Sequence, residues 1–409
     1  MNVMENIEKI ILDKIDGMRD EIVKFHQELI QIPSEVPPGK YRQISKFVAA
    51  KMEEFGMKTK IKRNNVIGEF GRENVASLIL NAHLDTVSIY DGWTKNPHSG
   101  EIIDDKIYGR GSSDDKSCVA AEIFAAKVLL DAGVDLNGKL IVTAVVNEEI
   151  GGVGGTEYLV NEEIIKADAC LLGDGPCEYP TAYCGGFFPI VFIIKGRRRH
   201  CLVYPDLKPP NRNKYSGINA IQKMLKIMNF LDDLQNELEK KETKYPTHPD
   251  LPSKISTVNF GSIEGGTSIS SVPDKCTLHC TINVIPEQDV DSIESKILDF
   301  VEEMKKEDPN LNIEVQIPIK HEPSSSDINS SFANVVKNAF KSVYNEEREF
   351  KLFICSNDVH HFQLKGIETI MIGPLRGENN YHAQDEFVYI EDLINTTKIY
   401  AITALNYLK

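Results

Sequence analysis

Ile7, Ile10, Ile11, Ile15, Met18, Ile22 and Phe25 recur three and four positions apart, the spacing that lines one face of a helix with apolar side chains. This predicts a helix over 5–32, ended by the prolines and glycine of the IPSEVPPGK loop at 32–40. A second helix is predicted over 41–55, stopped by Gly56. From there the pattern alternates. Apolar runs short enough for strands occupy 57–62, 66–70, 76–81, 140–146, 167–173, 350–354 and 369–373, with helical stretches at 117–132, from 156, at 328–344, at 357–365 and from 391. Strands alternating with helices predict an α/β fold with a mostly parallel, mixed sheet.

The rhythm changes after Cys184. Strands at 187–195, 255–260, 276–285 and 312–317 and helices at 218–241 and 290–307 follow the order β-α-β-β-α-β. That order predicts a ferredoxin-like α+β domain inserted at 185–317 between two parts of the first domain, 1–184 and 318–409. The 409 residues are enough for such an arrangement.

Composition narrows the function. Sixty-one acidic against 46 basic residues give a net charge of -15, which argues against nucleic acid or anionic lipid as a partner. No apolar run approaches a membrane span. The eight cysteines form no CxxC pair and follow no secretory leader, so a cytoplasmic chain with reduced thiols is expected.

The chemistry collects where strands stop. The apolar run 140–146 ends in Asn147, Glu148 and Glu149, the strand being predicted over 139–149, and four glycines then fall within 151–155. Ligands of open α/β sheets bind beyond the carboxyl ends of strands. His83 and Asp85 follow another strand, Asp114 and Asp115 open a helix, Asp174 ends a further strand, and His382 follows the last. Two histidines and several carboxylates on one sheet edge make a ligand inventory for zinc, with cobalt or manganese as alternatives. The acids are too many for one structural ion and suit two divalent ions sharing a carboxylate. His83 and Asp85, two apart, face one side, so one can bind metal while the other supports it.

In this setting the motifs AHLDTV (82–87), GRGSSDDK (109–116), NEEIGGVGG (147–155), LLGDG (171–175) and YHAQDEFV (381–388), with KGRRRH (195–200) and GSIEGGTSISSVPD (261–274) between them, resemble those of the co-catalytic zinc hydrolases. That family includes acetylornithine deacetylase, succinyl-diaminopimelate desuccinylase, aminoacylase and carboxypeptidase G. The resemblance spans roughly residues 20–405. It implies that His83 and Asp174 bind one metal, Glu149 and His382 the other, and that Asp114 bridges them. Asp85 would orient His83, Glu148 would act as general base, and His200 of the inserted domain would stabilise the oxyanion, often across a dimer. Asp168 is the alternative to Asp174. The implied activity is removal of an acyl group from an N-acyl amino acid, with a metallo-dipeptidase or carboxypeptidase as the alternative. A non-catalytic binding protein of the same fold would have lost the base or the ligands, and this chain retains them.

Two positions depart from the family pattern. Ser270 stands where many relatives have Asn, and Asn283 where many have an Arg that grips a substrate carboxylate. Arg376, or one of Arg197, Arg198 and Arg199, is the expected replacement for that charge. The inserted domain is expected to form a homodimer and to act as a lid.

Overall fold

The structure, a computed structural model, describes residues 3–72, 75–208, 210–248, 254–308, 310–354 and 356–409. Its contacts divide the chain into two compact units, one of Met1–Tyr183, Ser325–Phe353 and Asn357–Lys409, the other of Cys184–Ser324 with Ile354–Ser356. No helix among the described residues is long and apolar enough to cross a membrane.

The first unit is built on a mixed sheet. Its four central strands, in the order Glu368–Met371, Ala169–Leu172, Ser77–His83 and Lys139–Val145, are parallel to one another. They are buried along nearly their whole length, which is why they read as continuous apolar runs. The parallel character is narrower than the sequence predicted. Asn65–Gly71 adds antiparallel to Lys139–Val145, and Lys58–Lys62 adds antiparallel to it. Arg63 and Asn64, both at positive φ, close that hairpin, and a two-residue turn permits only antiparallel neighbours. On the opposite side Thr181–Cys184, a strand the periodicity did not reveal, pairs antiparallel with Glu368–Met371.

The helix Lys116–Asp131 is buried on nearly all sides, packed against the strand Ser77–His83 and the helices Arg19–Ile30 and Ile390–Leu408. Its apolar surface all round fits that central position. The single helix expected over 5–32 is two, Val3–Gly17 and Arg19–Ile30, broken at Met18, directly after a glycine, the residue after proline least suited to a helix interior.

Two strand ends are brought level by register. His83 lies opposite Val145, and Asn81 opposite Leu172. The loops that follow these strands therefore open on the same edge of the sheet. The fourth strand in this row ends at Met371, opposite Leu172, ahead of the segment that carries Arg376 and His382.

The second unit has four strands in the spatial order Thr257–Gly265, Lys275–Val284, Gly186–Lys195 and Asn312–Gln316, all antiparallel. With the helices Ala220–Leu238 and Val290–Glu307 they follow the β-α-β-β-α-β order of a split unit. Asn219 and Asp289 cap the two helices by accepting the amides of Gln222 and Ser292. Alternate residues Phe188, Ile190, Phe192 and Ile194 enter a core shared with Leu278, Ile282, Met224 and Ile297. The unit extends past its last strand because His321 and Phe187 exchange main-chain hydrogen bonds of 2.8 and 2.9 Å.

Candidate metal centre and active site

Lys139–Val145 stops before the two glutamates that the sequence reading placed on it. Asn147 takes a left-handed conformation (φ 68°), and Glu148–Ile150 forms a single 3-10 turn. The Asp85 carboxylate holds that turn. Its Oδ1 accepts the Glu148 amide at 3.2 Å and its Oδ2 the Glu149 amide at 3.1 Å, satisfying donors that a helical start leaves unpaired. Two glycines make the rest of the turn possible. Gly152 has φ +72°, and a Cβ there would lie 2.5 Å from Asp358 Oδ1; at Gly155 it would lie 1.9 Å from the Val146 carbonyl.

Asp85 also lies against His83, the residue that it was expected to orient. His83 Nδ1 meets the main-chain oxygen of Asp85 at 2.9 Å, while the nearest carboxylate oxygen is 3.7 Å away. Asp85 thus reaches His83 through its backbone and the glutamate turn through its side chain. Burial pushes its carboxyl up to about 7, with His83 pulling the other way.

Asp114 lies between the two histidines. Its Oδ1 is 3.0 Å from His83 Nε2, and its Oδ2 is 3.1 Å from His382 Nε2. Glu149 Oε2 lies 3.0 Å from the same His382 nitrogen, while its Oε1 accepts the Val87 amide at 3.0 Å. Donor atoms of His83, Asp114 and Glu149 fall within 4.8 Å of one another. Burial opposes charge on Asp114, but hydrogen bonds from His382 and His83 outweigh it and hold the carboxyl well below the usual range. Burial likewise opposes charge on His382, yet Asp114 and Glu149 draw it up to about 11. A cluster that keeps positive charge on a histidine against burial is one that attracts cations. Its donors, imidazole nitrogen and carboxylate oxygen, are those that zinc, cobalt and manganese accept, so the residues fit divalent ions.

Asp174 adopts φ 58°. Its amide donates to Asp115 Oδ1 at 3.1 Å, and its Oδ2 accepts from Asn357 Nδ2 at 2.9 Å. Asp115 also accepts the His83 amide at 3.2 Å, so one buried carboxylate ties two neighbouring strand ends. Asp174, His83 and Glu148 line one small cavity together with Asn357 and Asp358. Burial there raises the Glu148 carboxyl well above its ordinary range, reinforced by Asp174, Asp358 and Glu149 against His83. Asp168, the alternative to Asp174, instead accepts the Ser77 amide and hydroxyl at 2.8 Å, before the strand that ends at His83.

Several of these partners escaped the sequence reading. Asn357 orients Asp174, and Asp358 accepts the Thr156 hydroxyl at 2.6 Å beside the glycine turn. Both follow the strand Lys351–Phe353, so the strand-end rule that found Asp174 could have found them. Arg110 and Glu386 lie inside two of the quoted motifs without an assigned role.

The expectation for Arg376 does not survive. Its Nε and Nη2 donate to the two oxygens of the buried Asp392 at 2.6 and 2.9 Å, so the fork that would grip a substrate carboxylate is occupied. Arg376→Ala is expected to leave KM for a carboxylate-bearing substrate unchanged. It should lower stability by about 1–3 kcal/mol, the cost of a buried acceptor left unsatisfied; thermal unfolding alongside the kinetics checks both.

His200, Ser270 and Asn283 belong to the second unit. There His200 and Ser270 come together: Cys201 N donates to the Ser270 carbonyl at 3.1 Å and Val272 N to the Arg199 carbonyl at 2.8 Å. His200 is exposed, and its Nδ1 accepts the Leu202 amide at 3.4 Å. Asn283 stands in the sheet opposite Phe187 and Thr257, its Oδ1 buried without a hydrogen-bond partner among the described residues. Of the three arginines, Arg198 pairs with Asp274 at 2.8 Å, while Arg197 and Arg199 donate to main-chain carbonyls.

The chain is similar to proteins of known name over nearly its full length. It is 25% identical to the N-formyl-4-amino-5-aminomethyl-2-methylpyrimidine deformylase of Halalkalibacterium halodurans across 95% of this chain and 94% of that one. It is 25% identical to the acetylornithine deacetylase of Aliivibrio salmonicida across 92% and 96%. Human carnosine dipeptidase 1 shares its fold, with a TM-score of 0.79 and 17% identity over 100% of this chain and 99% of that one. The profile of peptidase family M20/M25/M40 matches residues 79–406, a span that includes the strand Ser77–His83 from its third residue and every histidine and carboxylate of the cluster. The chain therefore belongs to peptidase family M20/M25/M40 and is a metal-dependent hydrolase of amide bonds.

Proposed function

We propose that this chain removes a small acyl group from an amine by a hydrolysis in which Glu148 handles the proton. One observation carries the reading: the two oxygens of Asp114 each face a different histidine, at 3.0 and 3.1 Å. A carboxylate so placed suits a bridge between two cations. His83 and Asp174 would hold one ion, Glu149 and His382 the other, with zinc the expected metal and cobalt or manganese as substitutes. Bound divalent ions supply Lewis acidity, which polarises the scissile carbonyl and acidifies water.

The protein's own groups do the rest. Asp85 and the glycine turn fix Glu148 on the cavity wall. Its raised carboxyl suits a group that accepts a proton from water as oxygen attacks the carbonyl carbon, then delivers that proton to the departing amine nitrogen as the C–N bond breaks. His200, from the same chain or a dimer partner, would donate to the carbonyl oxygen as negative charge develops there.

The first substrate class is an N-acyl amino acid, of the acetylornithine deacetylase or succinyl-diaminopimelate desuccinylase type; a dipeptide is the alternative. The occupied fork of Arg376 favours a further reading, an N-formyl amine without a carboxylate, as in the name of the Halalkalibacterium relative. A panel of N-acetylornithine, N-succinyl-diaminopimelate, the N-formyl aminomethylpyrimidine and dipeptides, with zinc, cobalt or manganese added, tests the proposal. Release of free amine from one class assigns the substrate. A metal-loaded protein that hydrolyses none of them would refute the proposed activity.

A further inference from the structure

Glu386 is a fully buried carboxylate four residues beyond His382, and its surroundings are unusual in one respect: almost every donor that it meets comes from the loop that carries Asp114. Its Oε1 accepts the Ser113 amide at 2.9 Å, the Ser113 hydroxyl at 3.1 Å and the Asp114 amide at 3.2 Å. Its Oε2 accepts the Gly111 amide at 3.1 Å and Arg110 Nη1 at 2.6 Å. Arg110, itself 1% exposed, donates through Nη2 to the carbonyl of Ala383 at 3.1 Å, the residue next to His382. Its guanidinium also lies over the Trp93 ring, 5.3 Å from the centroid.

The two segments joined here are 272 positions apart, counted from Asp114 to Glu386. One segment presents Asp114 and the other His382, whose side chains meet at 3.1 Å. We infer that Glu386, with Arg110, is a positioning residue for the metal centre: it fixes the Asp114 carboxylate against His382 so that its two oxygens face two different ligand sets. The inference rests on the metal-site reading above. Ion pairing alone would need one contact to Arg110. Three main-chain amides gathered on the same carboxylate set the path of the backbone that carries Asp114. Only an anionic carboxylate accepts all of these hydrogen bonds, because a glutamine in its place turns an NH2 group toward amide donors.

The test separates positioning from simple burial of charge. Glu386→Gln alone leaves a buried guanidinium unpaired and is expected to unfold readily, so the informative protein is Arg110→Gln/Glu386→Gln, which carries neither charge. It is expected to melt near the parent, yet to bind the second equivalent of Co2+ about 10- to 100-fold more weakly, the usual effect of losing a group that orients a ligand. The cobalt visible absorption bands should shift with it. Ser113→Ala, which removes one donor and no charge, should fold normally and show a smaller shift in the same direction.

Two equivalents of cobalt bound by the double variant with the parent's affinity and bands would overturn the inference while leaving the metal site intact. If the double variant does not fold, Ser113→Ala decides, and parental cobalt binding in it overturns the inference. A parent that binds no cobalt would sink the metal-site reading and this inference together.

Discussion

A Glu148→Gln enzyme is expected to turn over about 100- to 10,000-fold more slowly than the parent, the range that a positioned general base contributes. Its metal content and KM should stay unchanged. The reason lies in how the turn is held. Asp85 grips the main-chain amides of Glu148 and Glu149, so the turn does not depend on the Glu148 side chain. The amide of glutamine has nearly the shape of the carboxyl and cannot accept the proton. Loss confined to steps after binding lowers kcat and kcat/KM together. Steady-state kinetics with metal analysis checks this, and a variant as fast as the parent would remove Glu148 from the mechanism.

Replacing Asp114 should be at least as damaging, by a different route. Asp114→Ala removes a side chain whose two oxygens face His83 and His382. Metal analysis should find at most one ion per chain instead of two. Turnover should fall by about 1,000-fold or more, equivalent to losing roughly 4 kcal/mol of transition-state stabilisation. The contrast with Glu148→Gln is diagnostic, because that protein keeps both ions. An Asp114→Ala protein that retains two ions would show that the bridge lies elsewhere.

Much of this site was legible before the structure. His83, Asp114, Glu149 and Asp174 each sit just beyond an apolar run or at the opening of a helix, His382 follows the last parallel strand in the chain, and register then places the strand ends on one edge. The strand ending at 145 rather than 149 was not legible, because nothing local to NEE announces that a carboxylate sixty-three residues earlier, Asp85, will take the Glu148 amide. The antiparallel edge was partly legible: Arg63 and Asn64 leave room only for a tight turn between two strands. Thr181–Cys184 was not, since the four residues TAYC form no continuous apolar run like those of the neighbouring strands.

The amino-acid sequence by itself determined the alternation of strands and helices, the four-strand insertion and the kinds of ligand gathered at strand ends, because periodicity and strand exits depend on residues a few positions apart. Only the tertiary structure decided what each charged group does. Arg376 was a candidate for a substrate carboxylate and instead pairs with Asp392. Asp85 was expected beside His83, and its carboxylate also seats the glutamate turn. Glu386 carried no role until its contacts placed it under Asp114. A buried charge is held by whichever partners folding brings to it, and those partners lie dozens to hundreds of positions away, beyond the reach of any local pattern.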